Sequence, residues 1–148
     1  MTFTKTALMY VPFEKRFDQD GKVWLKVQAH GNLTALTPYK VIVNEFGYVT
    51  AALADDEYYF YVGVPPYAIS SGEIDWVQIG GPCSGMVVAA LTMAVGNAVK
   101  MYDGVVTDTT ADYTGGVGEF AVVYTATTGA DDVLDVILVP ERIRQASS

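Results

Sequence analysis

The sequence has very little of the chemistry that enzyme active sites and metal centres commonly use. Among its 148 residues there is one cysteine, Cys83, and one histidine, His30. A single cysteine excludes an internal disulfide, and a zinc site would need carboxylates for its other ligands, which is uncommon. A Cys–His pair is formally possible, but Cys83 lies in a turn-like "GGPCSG" context without a catalytic signature. We therefore expect no enzymatic activity, no cofactor and no metal.

Long apolar runs and clustered positive charges are also lacking. No apolar run approaches the roughly 18 residues that a membrane helix needs, so we expect no membrane partner. The net charge is −8, and residues 41–139 contain thirteen acids but only one basic residue, Lys100. Binding to a phosphate backbone requires clustered cations, so we also expect no nucleic-acid partner.

The N-terminal segment differs in composition from the rest of the chain. Its first 22 residues carry four aromatic side chains among charges, Pro12 excludes a long helix, and "DQDG" is typical of a turn. We interpret residues 1–22 as an extended N-terminal arm, residues 23–140 as a β domain and residues 141–148 as a polar C-terminal tail. An edge strand paired to the β domain is the competing interpretation of the arm.

The arm is the candidate partner-binding segment. Left free, it would expose apolar surface that soluble proteins usually avoid, whereas a partner would cover that surface. Its cations favour a partner with an acidic surface. The predicted contact residues are the aromatic and basic side chains Phe3, Lys5, Tyr10, Phe13, Lys15, Arg16 and Phe17.

Strand and turn patterns recur at short intervals through the β domain. The segment "KVWLKVQA" alternates around Val23, Leu25 and Val27, as a half-buried strand does. The segment "YKVIVNEFGYVTAAL" predicts a hairpin with Gly47 at its turn. The segments "EYYFYVGV", "IDWVQIGG" and "VLDVILV" are further predicted strands. Residues Met86 to Val95 fit either a strand or a helix.

An internal repeat indicates an architecture built twice. At an offset of 57 residues, eight of the 29 positions from Gly47 to Asp75 are identical to their counterparts from Gly104 to Asp132. The loops "YAISSGEID" and "YTATTGADD" are part of this match, so Gly72 and Gly129 are both predicted to adopt positive φ. The repeat covers about residues 31–80 and 85–140, and it predicts a second hairpin at residues 98–107. The expected fold is all-β, a β-sandwich or barrel made of two similar halves, about residues 23–80 and 81–140.

Four consecutive aromatic residues predict a contact between copies of the chain. A strand that contains them must place rings on both of its faces, and only one face can enter the core. Aromatic side chains are enriched at protein interfaces, so we expect part of this strand to lie in a homo-oligomer contact. The alternative is that loops of the same chain cover these rings. The residues are Tyr58, Tyr59, Phe60 and Tyr61.

The repeated unit is an apolar strand, a short turn with Gly, "V-V-T", a linker of small residues, a strand, a Ser/Thr-Gly loop, an Asp and a further strand. This pattern, with an ending in "DVILVP" and a polar tail, resembles bacteriophage capsid decoration (cement) proteins over roughly residues 31–140. The resemblance implies a non-enzymatic structural protein that is made in the host cytoplasm, forms a homo-oligomer with a trimer favoured, binds the major capsid protein and stabilises the exterior of the virion. The alternative is a receptor- or glycan-binding fibre or adhesion module that uses its ten tyrosines as stacking surfaces.

Overall fold

The computed structural model describes residues 14–45, 47–51, 61–88, 94–102, 105–108, 120–126 and 133–139. Strands make up 60% of these residues, which confirms the predicted all-β class. The described part of the chain contains no helix, and therefore none that could cross a membrane. The strands are β1 (Lys15–Phe17), β2 (Val23–Gln28), β3 (Tyr39–Asn44), β4 (Gly47–Ala51), β5 (Tyr61–Gly63), β6 (Ile74–Val87), β7 (Ala98–Tyr102), β8 (Val105–Asp108), β9 (Ala121–Val123) and β10 (Val133–Leu138).

The strands form one hydrogen-bonded sheet that does not close into a barrel in the described residues. Its order is β5-β3-β4-β2-β6-β10-β9-β7-β8, with β1 added to the edge of β2. The fourteen-residue strand β6 belongs to both parts of the sheet. Its partner is β2 as far as Gly80, and β10 from Gly81 onward. We refer to β1–β5 with the first part of β6 as the first half, and to the remainder as the second half.

The two halves repeat one three-stranded unit, β5-β3-β4 in the first half and β9-β7-β8 in the second, although this unit joins the rest of the sheet through β4 in the first half and through β9 in the second. The hairpin β3–β4 closes on the pair Asn44–Gly47, and the hairpin β7–β8 closes on Tyr102–Val105. The strand that follows each hairpin, β5 or β9, pairs with the first hairpin strand. Both predicted hairpins are therefore confirmed. The closing pairs are 58 residues apart, however, so the structural equivalence is shifted by one residue from the offset of 57 that the identities suggest.

Each half has an apolar core, and residues of the first half contribute to the core of the second. The first-half cluster includes Leu25, Val27, Val41 and Val77, all fully buried. The second-half cluster contains Phe120 and Met86 with the buried side chains of β9 and β10. Val62 and Val64 come from the first half of the chain but belong to the second cluster. Consequently, the second core is not complete without residues from the β5 region of the first half.

The middle of β6 corrects one interpretation of the sequence. The "GGPCSG" segment is part of a strand rather than a turn, and two glycines with positive φ, Gly81 and Gly85, let that strand deform. Gly81 has φ +83°, and a Cβ added there would overlap the carbonyl oxygen of Gly21. At Gly85 a β-bulge opens opposite Asp135, which accepts hydrogen bonds from the Gly85 amide (2.9 Å) and the Ser84 hydroxyl (3.0 Å).

Two further sequence predictions meet the structure in part. Gly72 has φ +85°, as predicted, whereas Gly129 lies outside the described residues. The segment from Met86 to Val95 fitted either a strand or a helix. Met86 and Val87 end β6, Val95 lies in a turn, and residues 89–93 lie outside the described residues.

Candidate functional site

The described part of the N-terminal arm is a strand on the surface of the first half. Strand β1 pairs antiparallel with β2, and Arg16 lies opposite Trp24. The Arg16 guanidinium is 5.5 Å from the centre of the Trp24 ring and 4.9 Å from that of Trp76. Asp18 completes the group by accepting hydrogen bonds from the Trp24 indole (2.8 Å) and from Arg16 Nε (3.1 Å). Cation–π contacts and charge-assisted hydrogen bonds therefore attach this segment to the sheet.

The other face of β1 makes a second aromatic contact. Lys15 Nζ is 5.2 Å from the centre of the Tyr61 ring and donates a hydrogen bond to the Tyr61 hydroxyl at 3.2 Å. Tyr61 in turn packs edge-to-face against Tyr48. Phe17, at the end of β1, remains 67% exposed. Of the three predicted contact residues in β1, Phe17 therefore offers the most apolar surface to a partner.

The remaining predicted contact residues fall in other parts of the chain. The partner-contact residues Phe3, Lys5, Tyr10 and Phe13 and the oligomer-contact residues Tyr58, Tyr59 and Phe60 lie outside the described residues. Tyr61 is half-buried by contacts within its own chain. Its part in a contact between copies remains a prediction.

A cavity of about 400 Å³, not predicted from the sequence, opens at the far end of β2. Three segments that are distant in the chain form its walls: the end of β2 with His30, the β3–β4 hairpin, and the turn at Ser71-Gly72. The described lining residues are Gln28, Ala29, His30, Ile42, Asn44, Val49, Thr50, Ser71 and Gly72. No local motif marks this site, because its polar side chains are single residues from separate segments.

The "YAISSGEID" loop forms one wall of this cavity. Backbone hydrogen bonds join Leu33 to Ile69 in both directions, and the Gly72 amide donates to the Ala29 carbonyl at 2.8 Å. At its ends, the Tyr67 hydroxyl donates to the Asp75 carboxylate at 3.0 Å. That hydrogen bond is the main reason why the pKa of Tyr67 is raised, with burial as a smaller cause. The repeated Tyr and Asp of the first loop thus close it.

Cys83 and His30 do not form a catalytic pair. Cys83 is buried in the second-half core, and burial raises the pKa of its thiol to about 11. His30 lies beyond the Gln28–Ile74 end of the β2–β6 ladder, and Cys83 is nine residues further along β6 from Ile74. At about 3.3 Å per residue, this separates the two side chains by on the order of 20–30 Å. A protonated, buried thiol so far from an imidazole is a poor nucleophile.

The outer face of the second half carries a row of exposed apolar side chains. Ile137 lies between Pro82 and Val122 across three neighbouring strands, and Val133 pairs with Val87 near the other end of β10. All five side chains are exposed. Asp135, between Val133 and Ile137 on the same strand, accepts the hydrogen bonds of Ser84 and Gly85 at the β-bulge.

The geometry defines an open, two-part β protein with an aromatic and basic surface at one end of its first half. No family model matches the chain, and no curated protein matches it. Among solved structures, the chain is similar to the crystal structure of the head fiber gp8.5 N base in bacteriophage phi29. The similarity has a TM-score of 0.53 at 14% identity, and it covers 82% of this chain and 97% of that chain. At this identity the likeness is one of fold.

Proposed function

We propose that this chain is a non-enzymatic structural protein of a bacteriophage virion that binds the outside of the capsid and stabilises it as a decoration (cement) protein. The observation that carries the proposal is the similarity in fold to the N base of a phage head fiber. This similarity covers 97% of the fiber chain. The buried, protonated thiol of Cys83 and its distance from His30 support the absence of enzymatic activity. The major capsid protein is the proposed partner.

The proposed anchor is the N-terminal arm, with Phe17 as the described residue most available for contact. Phe17 is 67% exposed, and Lys15, on the same face of β1, has its Nζ 5.9 Å from the centre of the Phe17 ring. A large apolar ring next to a cation is the combination that an acidic surface with a shallow apolar pocket would bind. Because β1 is already ordered on the sheet, binding through Phe17 would cost little conformational entropy.

Co-sedimentation with capsids that lack this protein tests the proposed anchor. We expect Phe17→Ser to leave the melting temperature nearly unchanged and to weaken capsid binding at least about tenfold, the effect of losing an interface residue worth about 1.4 kcal/mol or more. Val95→Ser is the matched control, since Val95 is 63% exposed at a turn of the second half. If neither the wild-type protein nor the control sediments with capsids, capsid attachment is wrong; if Phe17→Ser binds normally, the anchor is wrong.

We also propose that the chain acts as a homo-oligomer, with a trimer favoured. The aromatic segment from Tyr58 to Tyr61 is the proposed contact. Sedimentation velocity across a range of concentrations measures the state of the free protein, and the same measurement on material released from capsids measures it after assembly. A monomer under both conditions would contradict this part of the proposal.

A receptor- or glycan-binding fibre module is the second candidate function. It is favoured by one specific observation, that the similar solved structure is itself part of a fiber. The thermal stability of capsids separates the two candidates: a cement protein raises the temperature at which capsids release their contents, whereas a fibre module binds at least one glycan on an array and does not protect capsids.

A further inference from the structure

We infer that the cavity around His30 is a binding site for a neutral, polyhydroxylated ligand, in particular a single sugar ring. Its volume of about 400 Å³ is in the range of small-molecule sites. The inference does not rest on capsid attachment. Phe17 pairs with Val23, whereas the cavity begins at Gln28, five residues or roughly 17 Å further along β2.

Hydrogen bonds between the walls hold the cavity open without a ligand. The His30 amide donates to Thr50 Oγ1 at 3.1 Å, which ties the end of β2 to the hairpin. The Gly31 amide donates to Ser71 Oγ at 3.2 Å, and the Ser71 amide donates to Asn32 Oδ1 at 2.9 Å. These bonds use the backbone of the turn and of the segment after β2, so the site is largely formed before binding.

The chemistry of the lining selects for hydroxyl groups. Gln28 and Asn44 supply side-chain amides, a group that can both donate and accept hydrogen bonds, and Gln28 Nε2 is held at the wall by donating to the Gly72 carbonyl at 3.4 Å. His30 supplies an exposed imidazole. Ile42 and Val49 lie opposite each other in the hairpin and add an apolar surface. A sugar ring presents the complementary combination of hydroxyl groups around its edge and C–H groups on its faces.

The same lining disfavours charged ligands. None of the described lining residues is an Asp, Glu, Lys or Arg. A phosphate or carboxylate would lose its hydration here without gaining an opposite charge. A wholly apolar ligand would not use the capacity of these two side-chain amides to form further hydrogen bonds. A neutral ligand with several hydroxyl groups satisfies both requirements.

Amide chemical-shift perturbation in the full-length, isotope-labelled protein tests the inference. The probes are glucose, galactose, rhamnose and N-acetylglucosamine, each as the free sugar and as its methyl glycoside, at concentrations well above millimolar. Binding of the free sugars alone points to a small solute, whereas binding of the glycosides points to a sugar within a longer chain. The expected result is that at least one probe shifts the signals of His30, Gly31 and Gly72.

Two variants localise the binding. Gln28→Leu removes an amide at similar size and should weaken binding about tenfold, the value of one hydrogen bond of about 1.4 kcal/mol. Val49→Trp fills the cavity and should abolish binding. Gln19→Leu is the matched control, an exposed glutamine in the β1–β2 turn. The inference is overturned if no probe shifts these signals, or if a titration of Gln28→Leu gives the same dissociation constant as the wild-type protein. Capsid binding by the same variants should be unchanged, which separates this inference from the proposed function.

Discussion

Two glycines with nearly the same φ angle should respond very differently to the same substitution. Gly72 has φ +85° and Gly81 has φ +83°, a region that residues with a Cβ adopt at a cost of about 1 kcal/mol. A Cβ at Gly72 would meet nothing within 4 Å. A Cβ at Gly81 would overlap the carbonyl oxygen of Gly21 and would lie 2.9 Å from the Cα of Lys22. Both neighbours are backbone atoms, so neither can rotate away.

We therefore expect Gly72→Ala to destabilise the protein by about 1 kcal/mol, and Gly81→Ala by about 3 to 4 kcal/mol. The additional 2 to 3 kcal/mol is the typical cost of forcing backbone to shift around an inserted methyl group. For a chain of this length, 1 kcal/mol lowers the melting temperature by about 2–4 °C. The expected decreases are then about 3 °C for Gly72→Ala and about 10 °C for Gly81→Ala.

Thermal unfolding followed by circular dichroism measures both variants, and urea midpoints give the free energies independently. Gly31→Ala is a second control, since Gly31 has φ +96° and a Cβ added there would also meet nothing within 4 Å. The reasoning would be refuted if Gly81→Ala lost no more stability than the two controls. That result would mean that β6 and the β1–β2 turn do not approach each other as closely as the structure shows.

Three further predictions concern single polar groups. Asp135→Ala should destabilise the protein by about 1–3 kcal/mol because the Gly85 amide and Ser84 hydroxyl lose their acceptor, whereas Glu45→Ala on an exposed loop should change the urea midpoint little. Asp18→Ala should cost about 1–2 kcal/mol in the same assay, since the Trp24 indole and Arg16 Nε lose a shared carboxylate; an unchanged midpoint would show that β1 is held by the ring contacts alone. Cys83 should react with iodoacetamide far more slowly in the native than in the urea-unfolded protein. Burial raises the pKa of the Cys83 thiol from 9.0 to about 11. The protonated thiol therefore contributes its full share to the free energy of unfolding below pH 9, and this contribution is lost as the pH rises through 11. The wild-type protein should thus lose stability relative to Cys83→Ala between pH 9 and pH 11.

The strands were predictable from the sequence where one face of the strand is buried and the other face is exposed to solvent. Alternation around Leu25 and Val27 located β2, and the residues flanking "NEFG" located the first hairpin. The second hairpin was predicted from the repeat alone, and the structure confirms it. The alignment was still one residue off, because identities such as Gly47 and Gly104 record residue type, whereas strand register depends on which residues close the turn.

The long strand β6 and the cavity were beyond local sequence patterns. Glycine and proline at Gly80-Gly81-Pro82 are typical of a turn, yet here they let one strand deform while it pairs with β2 on one side and β10 on the other. Only tertiary contact with Gly21 shows why a glycine is required at that point. The cavity depends on the approach of Gln28, Thr50 and Ser71, which no spacing along the chain reveals.

The N-terminal arm shows how one composition can serve two purposes. The aromatic and basic residues that suggested a docking segment include Lys15 and Arg16, and both make ring contacts within their own chain. These contacts hold β1 against β2, so the two cations stabilise the sheet, while Phe17 in the same strand remains exposed. Deleting residues 2–13 and deleting residues 2–17 should therefore differ. The longer deletion uncovers the rings of Trp24 and Trp76 and should lower the melting temperature. The shorter deletion retains β1, so it tests capsid binding without lowering the melting temperature. Equal melting temperatures for the two deletions would show that β1 contributes nothing to the stability of the sheet.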